Sequence, residues 1–528
     1  MASVSTKSSV IITLIIVFLV YSPTVSYCNG FQTFGYEIHH RFSDPVKGMM
    51  GVDDLPTVGS LEYYEAMVHR DKVFRGRGLA EKGGDDNDDV NKQLATFSGG
   101  NETFRLASLG FLHYANVSLG TPSLSFLVAL DTGSDLFWVP CDCSNNCVRS
   151  LMTRSGAEIN LSIYSSDSSS TSKDVSCNSS LCELQRGCSE PSSQCPYKVL
   201  YLSNNTASSG ILVEDVLHLT TDNHKPKAFD ARITFGCGQV QTGSFLDGAA
   251  PNGLFGLGMD KTSVPSILSS KGLVADSFSM CFGPDGVGRI SFGDKGSTDQ
   301  EETPFNILKQ QHPTYNVTVT QLSVENNLSD LDFNAIFDSG TSFTYLNDPA
   351  YTAICESFDS QAIHKRRSPD PRIPFEYCYD VSSNELLVPN VTLIMEGGSK
   401  FNVYEPIIVI SNGASYAYCL GVVKSPTVNI IGQNFMTGQR IVFDREKMVL
   451  GWKASNCDEI VDPSTQPRNP RNSKESPPAT AVQPRFTPGT PRIGLNSGAP
   501  QFSVSKPQNF YLLATSLLML LLPILPIV

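Results

Sequence analysis

Short apolar runs rich in Val, Ile, Leu, Phe and Tyr recur between Leu106 and Cys457, each broken by Gly, Ser or Asn. They fall at His113–Leu119, Ser125–Leu130, Ile211–Leu219, Arg232–Phe235, Arg289–Phe292, Tyr315–Leu322, Asn390–Ile394, Arg440–Phe443 and Met448–Trp452. Runs of this length with frequent breakers predict strands. Helices are expected only at Val264–Lys271 and Pro349–Phe358. The fold class expected for this stretch is therefore all-β.

The flanks have a different texture. Lys7 precedes the apolar run Val10–Val20, which gives way to the small polar residues Ser22, Thr24 and Ser26. That run is too short to span a bilayer comfortably and reads as a secretory signal peptide over residues 1–28. Residues 29–105 carry charged stretches such as Leu61–Gly78, an acidic patch at Asp85–Asp89 and little strand pattern, as a removable pro-segment would. Its basic run His69–Arg77 has the charge to lie over an acidic cleft. Residues 458–497 are rich in Pro, Ser, Thr, Asn and Arg and cannot bury enough apolar surface to pack, so an extended stalk is expected. The chain closes on the 19-residue apolar run Phe510–Val528, about 28 Å long as a helix. No Lys/Arg cluster follows it, while Ser497, Gly498, Ala499 and the spacer Pro500–Asn509 precede it. That order matches a GPI-anchor signal over residues 498–528, with Ser497 as the attachment residue. A type I single span, or release to the apoplast, is the alternative.

Composition narrows the function. Among 528 residues, 52 are acidic and 39 basic, a net charge of −13. Phosphate backbones require Lys/Arg neutralisation, so nucleic acid is excluded as a partner. Fourteen cysteines point to an oxidising compartment. Eight N-x-[ST] sequons, at Asn101, Asn116, Asn160, Asn178, Asn204, Asn316, Asn327 and Asn390, become glycosylation sites on that route.

The chemistry lies in an internal echo. Phe126–Val139 reads FLVALDTGSDLFWV, and Phe333–Leu346 reads FNAIFDSGTSFTYL. Each is an apolar strand entering Asp-[Thr/Ser]-Gly-[Ser/Thr], and the two aspartates, Asp131 and Asp338, stand 207 residues apart. Gly133 and Gly340 are expected to permit a tight turn and expose N–H donors. Thr132 and Ser339 place one hydroxyl beside each carboxylate, and Ser134 and Thr341 a second. Buried carboxylates need such donors. Two such loops face to face would satisfy one another. A lone loop of this kind is an ordinary turn; two copies at half-chain spacing point to catalysis. No His or further carboxylate recurs in both loops, so no metal is indicated.

These loops resemble the two active-site loops of pepsin-like (family A1) aspartic proteases, over residues 106–457. The insertion CDCSNNC (Cys141–Cys147) is similar to that of the plant nepenthesin-like subgroup. The resemblance implies a bilobal β fold, with an N-terminal lobe at 106–300, a C-terminal lobe at 301–457 and a central cleft. It implies an aspartic endopeptidase, monomeric and without cofactor, acting on protein or peptide substrates at the acid cell surface or in the apoplast. A water held between Asp131 and Asp338 would attack the scissile carbonyl, the pair sharing one proton. Leu257-Gly258 and Ile430-Ile431-Gly432 resemble the apolar-apolar-Gly elements beneath each loop. Tyr201 matches the family's flap tyrosine and Trp138 its partner, although YLSNNTASSG lacks the usual first flap glycine; Tyr197 is the other candidate. With Cys28 removed, the family pattern implies Cys141–Cys143, Cys147–Cys237, Cys177–Cys195, Cys182–Cys188, Cys281–Cys457 and Cys378–Cys419, leaving Cys355 as a buried thiol. Some plant relatives are non-catalytic inhibitors of cell-wall hydrolases with disrupted aspartate loops, so a binding protein on the same fold is the competing expectation. A structural wall glycoprotein would leave the duplicated motif unexplained.

Overall fold

A computed structural model describes residues 32–40, Tyr64 and, short gaps apart, 113–457. The signal peptide, most of the pro-segment, the stalk and the C-terminal apolar run lie outside the described residues, as do Asn101, Asn204 and Ser497. The described chain is mostly β, with α-helices at Val264–Ser270, Ala350–Gln361 and Gln433–Met436.

Both halves of the described chain use one local design. The strand Leu124–Asp131 runs parallel to Leu254–Gly256, which also pairs antiparallel with Trp138–Pro140. Trp138–Pro140 in turn lies parallel to Gly236–Gly238. In the second half Asn327–Phe337 runs parallel to Ile430–Ile431, and Thr344–Leu346 parallel to Val422–Lys424. Strands flanked on both sides must be apolar on both faces. Accordingly Val128 to Asp131 are buried without alternation. Each parallel strand carries an aspartate loop at its C-terminal end.

These strands join larger sheets. A 14-stranded sheet collects the first-half strands together with the terminal hairpin Gln439–Asp444 and Val449–Ala454. The hairpin docks through Gln439–Asp444 on Ser277–Phe282. Phe278 and Phe443 stack there at 4.7 Å, with Tyr315 edge-on to Phe443 at 4.6 Å. A 7-stranded and a 3-stranded sheet carry most of the second half.

One strand lies in a segment where no strand pattern was expected. Phe34–His40, within the stretch read as a pro-segment, pairs antiparallel with Val287–Phe292 over six residues and meets His113–Leu119 at His39–Tyr114 and His40–His113. Phe34 and Ile38 are fully buried. Each contributes about 1.5–3 kcal/mol through burial. The Tyr36 hydroxyl donates to the His218 carbonyl at 3.0 Å.

Disulfide pairing departs from expectation in four bridges. Cys141 bonds Cys237, not Cys143, and Cys147 bonds Cys143, not Cys237. The parallel pairing of Val139 with Cys237 brings the end of that strand, where Cys141 N–H meets the Gly238 carbonyl at 3.1 Å, against Cys237. Cys177 bonds Cys188 and Cys182 bonds Cys195, in place of Cys177–Cys195 and Cys182–Cys188. The bridge Ser176–Gln194 sets Cys195 opposite Val175, so Cys177 faces Ser193 instead. Cys281–Cys457 and Cys378–Cys419 are present. Cys355 is a buried free thiol on the helix Ala350–Gln361, and burial pushes it up to about 12. Among the described residues, the side-chain clusters tight enough to hold a metal, Cys177/Cys182/Cys188 and Cys141/Asp142/Cys237, draw their sulfurs from disulfides.

Asp215 anchors the long strand Thr206–Thr220. Its buried carboxylate accepts the Tyr164 hydroxyl at 2.6 Å, the Thr171 hydroxyl at 2.5 Å and the Val216 N–H at 2.8 Å. Burial alone would raise its pKa, but the hydrogen bonds, led by those of Ser169 and Thr171, outweigh it and hold the group below the usual carboxylate range. A depressed folded pKa stabilises above the unfolded value, about 3.9, and is lost only as pH falls through the folded value. Asp215→Asn is expected to destabilise by about 1–3 kcal/mol at pH 7 and pH 4.5. The deficit should shrink towards pH 2, as read from urea midpoints. A deficit constant over that range would contradict this assignment.

Candidate active site

The strands Leu124–Asp131 and Asn327–Phe337 deliver Asp131 and Asp338 to one place. Both residues are buried. Asp131 Oδ1 accepts the Gly133 N–H at 3.1 Å, and Oδ2 the Ser134 hydroxyl at 2.6 Å. Asp338 repeats this with the Gly340 N–H at 2.8 Å and the Thr341 hydroxyl at 2.6 Å. Each carboxylate thus has one oxygen held by a hydroxyl and one by a backbone amide.

The loops are laced to each other. The Thr132 hydroxyl accepts the Ser339 N–H at 3.0 Å and donates to the Phe337 carbonyl at 3.3 Å. The Ser339 hydroxyl accepts the Thr132 N–H at 3.3 Å. A methyl carbon placed on Gly133 would lie 3.3 Å from Asp131 Oδ1 and 3.5 Å from Asp338 Oδ1. One carbon would touch both inner oxygens, so the carboxylates converge over this glycine. Gly133 and Gly340 have no positive φ. Both still lie in the expected turns and donate their N–H groups, and at Gly133 the missing side chain also keeps open the space between the carboxylates.

Beneath the loops the apolar-apolar-Gly element of the first half lies two residues earlier than the sequence indicated. Leu254–Gly256, not Leu257-Gly258, is the counterpart of Ile430-Ile431-Gly432 in strand pairing. A Cβ on Gly256 would meet the Asp135 carbonyl at 2.2 Å, and one on Gly432 the Phe343 carbonyl at 2.2 Å. Both glycines let backbone cross backbone.

Above the first loop, Pro196–Tyr201 and Thr206–Thr220 form a hairpin in which Tyr201 opposes Thr206. Trp138 Nε1 donates to the Tyr201 hydroxyl at 3.0 Å. Tyr197 instead shares a hydrogen bond with Ser208 at 2.8 Å and lies in the interior against Gly236. Phe245 was missed by sequence reasoning. Its ring stands 4.9 Å from both Trp138 and Tyr201, making an aromatic trio. Its only sequence signal is an aromatic in a Gly/Ser turn, GSF, carried by a single 3-10 turn. Among the remaining sequons Asn116, Asn160, Asn178, Asn327 and Asn390 are exposed. Asn316 is half-buried, its carbonyl oxygen taken by Asn306 at 2.8 Å.

Comparison with known proteins agrees with this geometry. Family models described as xylanase inhibitor N-terminal and xylanase inhibitor C-terminal match residues 113–294 and 314–454. The chain is 54% identical to Aspartyl protease family protein 1 of Arabidopsis thaliana, over 94% of this chain and 96% of that protein. It is 39% identical to Aspartic proteinase-like protein 1 of the same plant, over 87% of this chain and 89% of that one. Among solved structures it superposes on conglutin gamma, a basic 7S globulin from lupine seeds, with a TM-score of 0.52 at 20% identity, covering 66% of this chain and 93% of that one.

Proposed function

We propose, for a chain that belongs to the pepsin-like aspartic protease family, that it is an aspartic endopeptidase hydrolysing peptide bonds with Asp131 and Asp338. The observation that carries this reading is the convergence of two hydrogen-bonded carboxylates over Gly133, each with one oxygen bound by a hydroxyl. Two such groups cannot both ionise cheaply, so the pair holds one proton over an acid range. The ionised member removes a proton from a water between them, and that water's oxygen attacks the peptide carbonyl carbon. The protonated member gives its proton to the carbonyl oxygen, yielding a neutral gem-diol intermediate. Breakdown returns a proton to the departing amine. No step forms a bond to the enzyme.

The trio Trp138, Tyr201 and Phe245 supports a preference for bulky apolar side chains beside the scissile bond. Six disulfides and the exposed sequons support a secreted, glycosylated protein. The apolar run Phe510–Val528 behind Ser497 supports attachment to the outer cell surface through a GPI anchor. Release by a phosphatidylinositol-specific phospholipase tests the anchor; retention on membranes after treatment contradicts it.

A second reading, a non-catalytic binding protein, is favoured by the description of the matching family models as xylanase inhibitors. Both intact Asp loops weigh against it. Peptide hydrolysis at about pH 4–5, with and without pepstatin, separates the two. The wild type should cleave and be blocked by pepstatin, and Asp131→Asn should lose about 10³-fold or more. Hydrolysis indifferent to both changes would overturn the proposal, and no hydrolysis by the processed wild type would favour the binding protein.

A further inference from the structure

Tyr315 lies outside both aspartate motifs, yet its carbonyl bonds the second directly and its hydroxyl reaches the first through Leu257. Its hydroxyl donates to the Leu257 carbonyl at 2.6 Å. Leu257 N–H donates to the Asp131 carbonyl at 2.9 Å. The Tyr315 carbonyl accepts the Phe337 N–H at 3.0 Å, and the Phe337 carbonyl accepts the Thr132 hydroxyl at 3.3 Å. Because Thr132 follows Asp131 in the chain, these four hydrogen bonds close a ring under the first aspartate. Phe337 precedes Asp338, so the ring also holds the second.

We infer that Tyr315 is a positioning residue that sets the separation of the two carboxylates; this rests on their reading as a catalytic pair. Three observations carry it. The residue is fully buried, so its bonds are not shared with bulk water. Its ring is fixed among Phe278, Phe305 and Phe443, at 6.0, 5.5 and 4.6 Å. Arg445 donates to the adjacent Gly258 carbonyl at 3.0 Å, so the segment receiving the phenol is held at the next residue as well. The hydroxyl laces shared by Thr132 and Ser339 join the loops directly. Tyr315 adds a second link, through the strand below.

Proton sharing depends steeply on the distance between the carboxylates. Loosening the ring lets the loops part and weakens the coupling. The pH–rate bell then narrows from both sides. Tyr315→Phe keeps the ring packing and removes the hydroxyl, which donates to Leu257 and also accepts from Arg445, with Asp135 and Asp276 the other charges facing it. Its kcat should fall about tenfold, KM should change less than twofold, and the bell should narrow. Tyr379→Phe is the control, since it loses a part-buried phenol bond at 2.7 Å from the 3-stranded sheet to Asp359 on the helix Ala350–Gln361. It should keep the wild-type profile. Rates are referred to active sites titrated with pepstatin, so partial misfolding does not count. A Tyr315→Phe enzyme with the wild-type profile, or one altered only as Tyr379→Phe is, overturns the inference.

A wild type without hydrolysis would defeat the endopeptidase reading instead. The ring is then judged by the pH dependence of Tm between pH 3 and pH 7. Tyr315→Phe should change that dependence in the wild-type background and leave it unchanged in Asp338→Asn; an equal change in both backgrounds overturns it.

Discussion

Asp338→Asn is expected to hydrolyse a peptide substrate about 10³-fold or more slowly than wild type at every acid pH, with its fold intact. The amide keeps most local bonds. Its oxygen can still accept the Gly340 N–H, and its NH₂ can donate to the Thr341 hydroxyl oxygen once that hydroxyl rotates. The lacing between Thr132 and Ser339 does not involve this side chain. What disappears is the second titrating group, and with it the proton for the carbonyl oxygen. Stability should move the other way. At neutral pH the wild type holds two like charges together, a repulsion that the unfolded chain escapes. The variant's Tm at pH 7 should therefore equal or exceed that of wild type, the gap closing as acid returns the shared proton. Retained hydrolysis would exclude Asp338 from the chemistry; a Tm well below wild type at pH 7 would mean that the carboxylates do not face each other.

Gly432→Ala is expected to cost about 3 kcal/mol or more, beyond the usual range for one added methyl. The new Cβ would lie 2.2 Å from the Phe343 carbonyl oxygen and 2.4 Å from its carbon. Both are backbone atoms, which cannot swing aside like the end of a long side chain. Relief requires Thr344–Leu346 to move away from Ile430, and that strand follows the Asp338 loop directly. Activity should fall with stability in this case. Gly397→Ala offers a contrast, because no atom lies within 4 Å of its Cβ, although its φ of +91° strains any side chain. Urea midpoints should rank Gly432→Ala as the more damaging. Equal midpoints would mean that the backbone crossing at Gly432 yields easily.

The aspartate loops were legible because their chemistry is local: carboxylate, hydroxyls and glycine stand within four residues, and the motif occurs twice. The longer strands were largely legible for the same reason, while Ser277–Phe282, Ile407–Ser411 and Tyr416–Leu420 were not read. Leu124–Asp131 and Val449–Ala454 differ from the expected runs only at their ends. What sequence could not supply is register. Cys141 and Cys237 are 96 residues apart and meet only because Val139 pairs with Cys237. The glycine beneath the first loop is Gly256, since Gly256 rather than Gly258 aligns with Asp131. GLFGLG offers two glycines two residues apart, and only the pairing chooses. Phe34–His40 was missed because FGYEIHH ends in two histidines and its partners lie beyond residue 112. Tyr315 needed the same long-range information, as its carbonyl partner is 58 residues away.

The placement of Phe34–His40 bears on what a cut after it would do. It is an interior strand, held on one side by Val287–Phe292 and on the other by His113–Leu119. A cut anywhere between His40 and His113 severs the peptide link but none of those pairings. The upstream fragment would stay lodged in the sheet, and a chain so cut would travel as two polypeptides until something prised them apart.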